Sequence, residues 1–150
     1  MPKSKYDKYF TTEVVQEMPT KDGKGKSGIF ATSTRHLGDK WGGGHLSVDC
    51  FYITHPHQMI SQPHKHEFAQ YLNFFSANPN DAREFDAEIE FTVGDSAENG
   101  EKRIITKPTS VYVAAGLYHG PLLFKVINKP VLFLDIAVTG KYSRVGNTPD

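Results

Sequence analysis

Cysteine is almost absent from the 150 residues. Cys50 alone occurs, which rules out an intrachain disulfide and a structural zinc–thiolate cluster. Flanked by Val48, Phe51, Tyr52 and Ile53, it reads as a buried and inert thiol. An excess of charge of one sign is also missing. The 17 Lys and Arg are balanced by 17 Asp and Glu, so no long-range field draws the chain to nucleic acid or to an anionic membrane. No apolar run approaches the ~20 residues that span a bilayer. The start of the chain, Met1 to Tyr6, lacks the apolar core of a signal peptide. These absences leave a cytoplasmic protein whose partner is a small molecule, with no nucleic acid and no membrane involved. Gly42-Gly43-Gly44 lacks both the Gly-Lys-Ser/Thr ending of a phosphate-binding loop and the spacing of a dinucleotide fingerprint, so it reads as a turn.

What is present is a chain long enough for one domain with one sizeable core. Residues 1–10 read as a polar arm, Thr12 to Met18 as a short edge strand or helical turn, and Pro19 to Ser27 as an exposed loop. Beyond these, β-branched and aromatic residues come in short runs separated by turn formers. The runs are His45 to Thr54, Ile60 to Phe75, Glu88 to Val93, Lys102 to Thr106, Ser110 to Val113, Leu122 to Ile127 and Val131 to Val138. Glu88 to Val93 alternates most cleanly, and Gly94-Asp95 with Asn99-Gly100 predicts a hairpin to the next run. Asn78 to Asp86 reads as a helix or a long loop. The pattern predicts an all-β, antiparallel fold, closed or in two sheets, with an interior cavity.

Chemistry concentrates in Pro63-His64-Lys65-His66-Glu67-Phe68-Ala69-Gln70. In an extended segment His64, His66, Phe68 and Gln70 share a face, and Leu72 and Phe74 mark that face as the inward one. Two neutral imidazoles and an amide oxygen converging on one volume suit a divalent metal. A third imidazole comes from Ala114-Ala115-Gly116-Leu117-Tyr118-His119, where a turn at Gly116 returns His119 to the mouth of the barrel. The stretch His66 to Gln70 is a near miss to a helical zinc-protease motif, but it lacks the second His, and Pro63 opposes a helix.

These two motifs resemble those of the cupin superfamily: His-x-His, three residues, then Glu or Gln; and Pro-x-Gly-x-x-His. The resemblance covers His64 to Val138. It implies a double-stranded β-helix or jelly-roll barrel over residues 41–140, with 1–40 as an N-terminal arm and edge elements and 141–150 as a C-terminal tail, all one domain. It further implies that His64, His66, Gln70 and His119 bind one divalent ion, among manganese, iron, nickel and zinc, and that the protein is an oligomer, taken here as a homodimer. Two positions depart from the pattern. Ala114 replaces a proline, and Gln70 replaces the commoner glutamate, which leaves the site one negative charge short and inclined to an anionic bidentate ligand. Gln70 is either a direct ligand or a hydrogen-bonding neighbour of substrate or water.

The expected activity is Lewis-acid catalysis on a small enolisable or carboxylate-bearing compound by an isomerase, lyase or dioxygenase. The alternatives are a non-catalytic binding or sensing barrel and a metal-free structural role for the histidines. His57 of His55-Pro56-His57 lies in a surface turn or reaches the mouth as a proton carrier, while Tyr52 and Tyr112, with Tyr118, are pocket-lining candidates against the plainer reading of core tyrosines. His36 and His45 carry no signal. Lys125 and Asp135 interrupt apolar strands, which surface exposure explains most simply.

Overall fold

A computed structural model describes residues 4–10, 12, 15–17, 32–34 and 45–145. His36, the Pro19 to Ser27 loop and the Gly42 to Gly44 run lie outside them. The described chain is all-β, with one short 3₁₀ helix, Asp7–Tyr9, in the exposed N-terminal arm. Ten strands follow: β1 (Val15–Glu17), β2 (Thr32–Thr34), β3 (Ser47–Ile53), β4 (His57–Ile60), β5 (Gln70–Ser76), β6 (Ala87–Gly94), β7 (Glu101–Ile105), β8 (Thr109–Val113), β9 (Tyr118–Ile127) and β10 (Val131–Ala137). They form a six-stranded sheet in the order β1-β2-β3-β10-β5-β8 and a four-stranded sheet in the order β4-β9-β6-β7, with every pairing antiparallel.

Strand parity builds the core. In β6 Ala87, Ile89 and Phe91 point inward, while Glu88 and Glu90 point outward, where Lys125 spans them at 2.8 and 3.1 Å. Lys125 is therefore the exposed residue its sequence context suggested, and such a pair adds little stability. The inward rings of Phe74, Phe91, Phe124 and Phe133 meet between the sheets, Phe74 stacking on Phe133 at 4.9 Å. Ile53, Ile89, Leu122 and Val131 fill the space around them. Asn78 to Asp86 is a loop of turns with no helix: Asn78 and Asp81 side chains accept from backbone N–H groups two residues on, at 2.9 Å each, a local bonding that competes with helix formation.

One expected strand is divided. Ile60 to Phe75 was read as a continuous run, but β4 belongs to the four-stranded sheet and β5 to the six-stranded one. The histidine segment between them crosses from one sheet to the other. It is extended at His64 and Lys65, held by single bridges, His64 to His119 at 3.0 and 2.8 Å and Lys65 to Val145 at 3.3 and 2.9 Å, and it bends at Glu67 and Phe68. The expected pattern nevertheless holds across the bend: His64, His66 and Gln70 are all buried and Glu67 is exposed. Cys50 also departs from expectation. It lies half-buried on the outer face, where burial and the Asp49 charge push its thiol pKa up and keep it protonated.

Candidate metal centre

The second motif forms as its glycine requires. Leu117 N–H donates to Ala114 O at 3.1 Å, closing a turn whose third residue, Gly116, has φ of +83°, the conformation a type II turn demands there. Gly116 N–H donates to His66 O at 2.7 Å, tying this turn to the first motif. His119, the second residue of β9, follows three residues after Gly116 and lies directly across from His64.

Each of the three imidazoles is oriented by a backbone carbonyl. His64 Nδ1 faces Gln62 O at 3.4 Å, His66 Nδ1 faces Ser143 O at 2.6 Å, and His119 Nδ1 faces Leu117 O at 3.2 Å. A carbonyl only accepts, so each Nδ1 carries the proton and each Nε2 keeps its lone pair. Burial pushes the pKa of His66 down to about 4, against the raising effect of its bond to Ser143. Burial and the neighbouring His64 push that of His119 to about 3. Both are neutral near pH 7, the form that ligates metal. One ring nitrogen from each lies within 4.8 Å of the others, and among the described residues this is the group of three able to hold an ion.

Gln70, at the start of β5, is held by Asp135 of β10. Its Nε2 donates to Asp135 Oδ1 at 3.0 Å and Oδ2 at 3.1 Å. A carboxylate offers no proton, so the amide nitrogen must face it and Oε1 must face away. That buried Oε1 has no hydrogen-bond partner. Three imidazole nitrogens with fixed tautomers suit a divalent ion, and the Gln70 oxygen is a buried acceptor turned away from Asp135. Asp135→Asn presents a donor as well as an acceptor and releases the amide to turn over. Its affinity for zinc, measured by competition with a chromophoric chelator, is expected to fall roughly 10- to 100-fold; an unchanged affinity would place Gln70 outside the ligand set.

A cavity of about 340 Å³ opens beside these residues, walled by Phe51, Met59, Ile60, Leu72 and Phe133 and by the polar groups of Asp49, Asp135, Tyr142 and Arg144. The polar wall was largely missed in the sequence. Asp49 and Asp135 are directly opposed partners on β3 and β10. They share the inward parity of Phe51 and Phe133, a signal that was available; Asp135 was read as a surface residue and is corrected to a cavity one. Tyr142 and Arg144 come from the stretch expected to be a tail, whose described part, residues 141–145, pairs with the histidine segment through Val145 and Lys65.

The catalytic candidates do not join the cluster. Tyr52 and Tyr112 are 47% and 57% exposed on the outer face of the six-stranded sheet, because their neighbours Ile53 and Val113 take the inward positions. His57 stacks on Phe124 at 5.1 Å and pairs in register with it, five residues along β9 from His119, or roughly 17 Å at strand spacing. Tyr118 lies under the Lys65 ammonium, 5.0 Å from its ring centre, outside the cavity lining. His45 is exposed before β3.

No family model matches the chain, and no curated protein matches it. Solved structures do. An oxalate oxidase in complex with the substrate analogue glycolate superposes with a TM-score of 0.57 at 14% identity, over 97% of this chain and 66% of that one. Oxalate decarboxylase, in a study of its substrate binding mode and reaction specificity, superposes with a TM-score of 0.53 at 14% identity over 77% of this chain. The Bacillus subtilis oxalate decarboxylase studied for its Mn(II) centres gives 0.52 at 14% identity over 75% of this chain. The chain has the cupin fold. It spans about a quarter of the length of the oxalate decarboxylase chains, 27% and 26%. At this identity the likeness extends to the fold alone. Within the cupin barrel the two motifs meet as the resemblance implied, His64 and His66 at the sheet crossover and His119 at the head of β9.

Proposed function

We propose that the protein is a metal-dependent enzyme acting on a small oxygenated compound, either enolisable or carboxylate-bearing, as an isomerase, lyase or dioxygenase. The observation that carries this reading is the common tautomer of His64, His66 and His119, each with its Nδ1 proton held by a backbone carbonyl and its Nε2 lone pair as the ligating one. A bound divalent ion would supply Lewis acidity toward a carbonyl or carboxylate oxygen. The chain's own residues shape the rest. Phe51, Leu72 and Phe133 keep one wall of the cavity dry, and Asp49, Asp135, Tyr142 and Arg144 offer groups that hold or move a proton at a bound ligand. A non-catalytic binding barrel would be expected to offer a wholly apolar pocket, and this mixed lining favours catalysis over it.

Manganese, iron, nickel and zinc all accept imidazole nitrogen with an oxygen donor, and the named Mn(II) centres of the superposed decarboxylase support manganese as the first ion to test. A homodimer belongs to this proposal, supported by the exposed apolar outer face bearing Val48, Tyr52, Tyr71 and Tyr112. A cytoplasmic location belongs to it as well. No described helix is long and apolar enough to cross a membrane.

Elemental analysis of protein purified without chelator, followed by oxygen uptake with the four metal forms and small hydroxy- and dicarboxylates, divides the reaction types. Metal is expected in the purified protein at about one ion per chain, the complement of a single three-histidine site. Uptake by the iron or manganese form alone would select the dioxygenase, uptake by no form would eliminate it, and protein that binds none of the four ions would end the metal reading.

A further inference from the structure

The segment Tyr142 to Val145 adds a strand-like strap to the outside of the first histidine motif. Val145 pairs with Lys65 through both backbone bonds, and Ser143 O takes the Nδ1 proton of His66 at 2.6 Å. With Ser143 and Val145 engaged in this way, the alternate side chains Tyr142 and Arg144 fall on the other face and line the cavity. Tyr142 packs against His66 at 4.8 Å between ring centres and against Phe68 at 5.6 Å. Its hydroxyl stands 3.1 Å from His66 Nε2. Because His66 Nδ1 holds the ring proton, the hydroxyl is the donor in that contact, and it is therefore directed at the lone pair through which His66 would ligate. Arg144 is exposed at the rim and lines the same cavity as His119 and Tyr142.

We propose that this strap is an anion-recognition element in which the Tyr142 hydroxyl and the Arg144 guanidinium bind the oxyanion of a small carboxylate ligand held at the three-histidine site. This rests on the metal-centre reading and deepens it by naming the ligand's charge. Three neutral imidazoles and a neutral amide do nothing to offset a divalent ion, so an anion is favoured there. An arginine presents paired donors matched to a carboxylate, and a phenol adds a single directed one. Asp49 and Asp135 line the same cavity, and their oxygens are acceptors for a hydroxyl on the ligand. The favoured ligand class is thus a small hydroxycarboxylate.

Cobalt(II)-loaded protein provides the test, since its visible bands report ligand binding without turnover. Glycolate and its neutral counterpart glycolamide are titrated into wild type, Tyr142→Phe and Arg144→Gln, with cobalt content and melting temperature recorded for each. Wild type is expected to prefer glycolate, and both variants to hold a full cobalt complement. Arg144→Gln is expected to weaken glycolate roughly tenfold or more while leaving glycolamide unchanged, and Tyr142→Phe to weaken both ligands by a factor of several, as loss of one hydrogen bond to a charged or polar oxygen does. Equal glycolate affinity in all three proteins overturns the proposal, as does loss of cobalt in Tyr142→Phe, which would make the phenol a ligand. Failure of wild type to retain cobalt would instead strike the underlying metal reading, and the two failures are distinct.

Discussion

His119→Ala is expected to retain no divalent ion after desalting, where the wild-type chain holds about one. The substitution removes one of the three imidazole donors able to hold an ion and leaves only His64 and His66, with no carboxylate in the group to compensate for the loss. The backbone stays engaged, because His119 meets His64 through main-chain bonds at 2.8 and 3.0 Å that alanine keeps. Loss of metal is thereby separable from loss of fold. Without added metal the variant should melt cooperatively, somewhat below wild type for the cavity it leaves. With zinc at about a hundred times the wild-type dissociation constant, wild type gains roughly 2.7 kcal/mol from linkage and the variant gains nothing. Elemental analysis and paired melting curves, with zinc and with chelator, read both effects. A variant that kept its ion and its zinc-dependent melting shift would remove His119 from the site and leave the two motifs unconnected.

What the sequence revealed and what it concealed follow from the range over which each signal acts. Parity is local, and it survives interruptions of hydrogen bonding. It therefore placed Ile89 and Phe91 inward, and it placed His64, His66 and Gln70 on one face even though the expected strand is broken there by the crossover between sheets. The same rule was available for Tyr52 and Tyr112, whose neighbours Ile53 and Val113 are among the most buried residues; aromatic character outweighed parity in assigning them to the pocket. His57 shows the limit of spacing as a signal, since His-x-His recurs at His55-Pro56-His57 but points along the barrel to Phe124. The strap lay beyond any local rule. Nothing near Tyr142 indicates that Ser143 will accept from a histidine 77 residues earlier, because that contact arises only once the barrel has brought chain ends past the crossover.

The polar wall of the cavity has a related explanation. Six-stranded sheets bury their centre, and β3 and β10 run antiparallel across it with Asp49 opposite Asp135. Two facing carboxylates repel one another, and an arrangement of that kind persists only where neighbours satisfy them. Asp135 is satisfied by the Gln70 amide, so the acid that interrupts an otherwise apolar strand and the glutamine that departs from the commoner glutamate are two halves of one device. A glutamate at position 70 would face Asp135 as a like charge. The amide removes that repulsion and keeps its own buried oxygen turned away from Asp135.

Gly120→Ala is expected to destabilise the fold by roughly 2–5 kcal/mol, the sum of backbone strain and a steric clash. Gly120 has φ of +97°, which L-residues seldom adopt. A Cβ there would stand 2.8 Å from Ile60 Cγ2 and 2.9 Å from Gln62 O. The isoleucine methyl can rotate away, but the Gln62 carbonyl belongs to the backbone that leads into His64, and its own oxygen faces the His64 ring. The strain is therefore transmitted to the metal site, and zinc affinity should fall together with stability. Gly116→Ala supplies the control. It carries a comparable φ of +83° with nothing within 4 Å of the added carbon, so it bears strain without a clash and should lose only about 1–2 kcal/mol. Urea denaturation of the two variants, each with and without zinc, measures the difference. Equal destabilisation of both would mean that β4 and β9 are not packed as closely beside His119 as this fold requires.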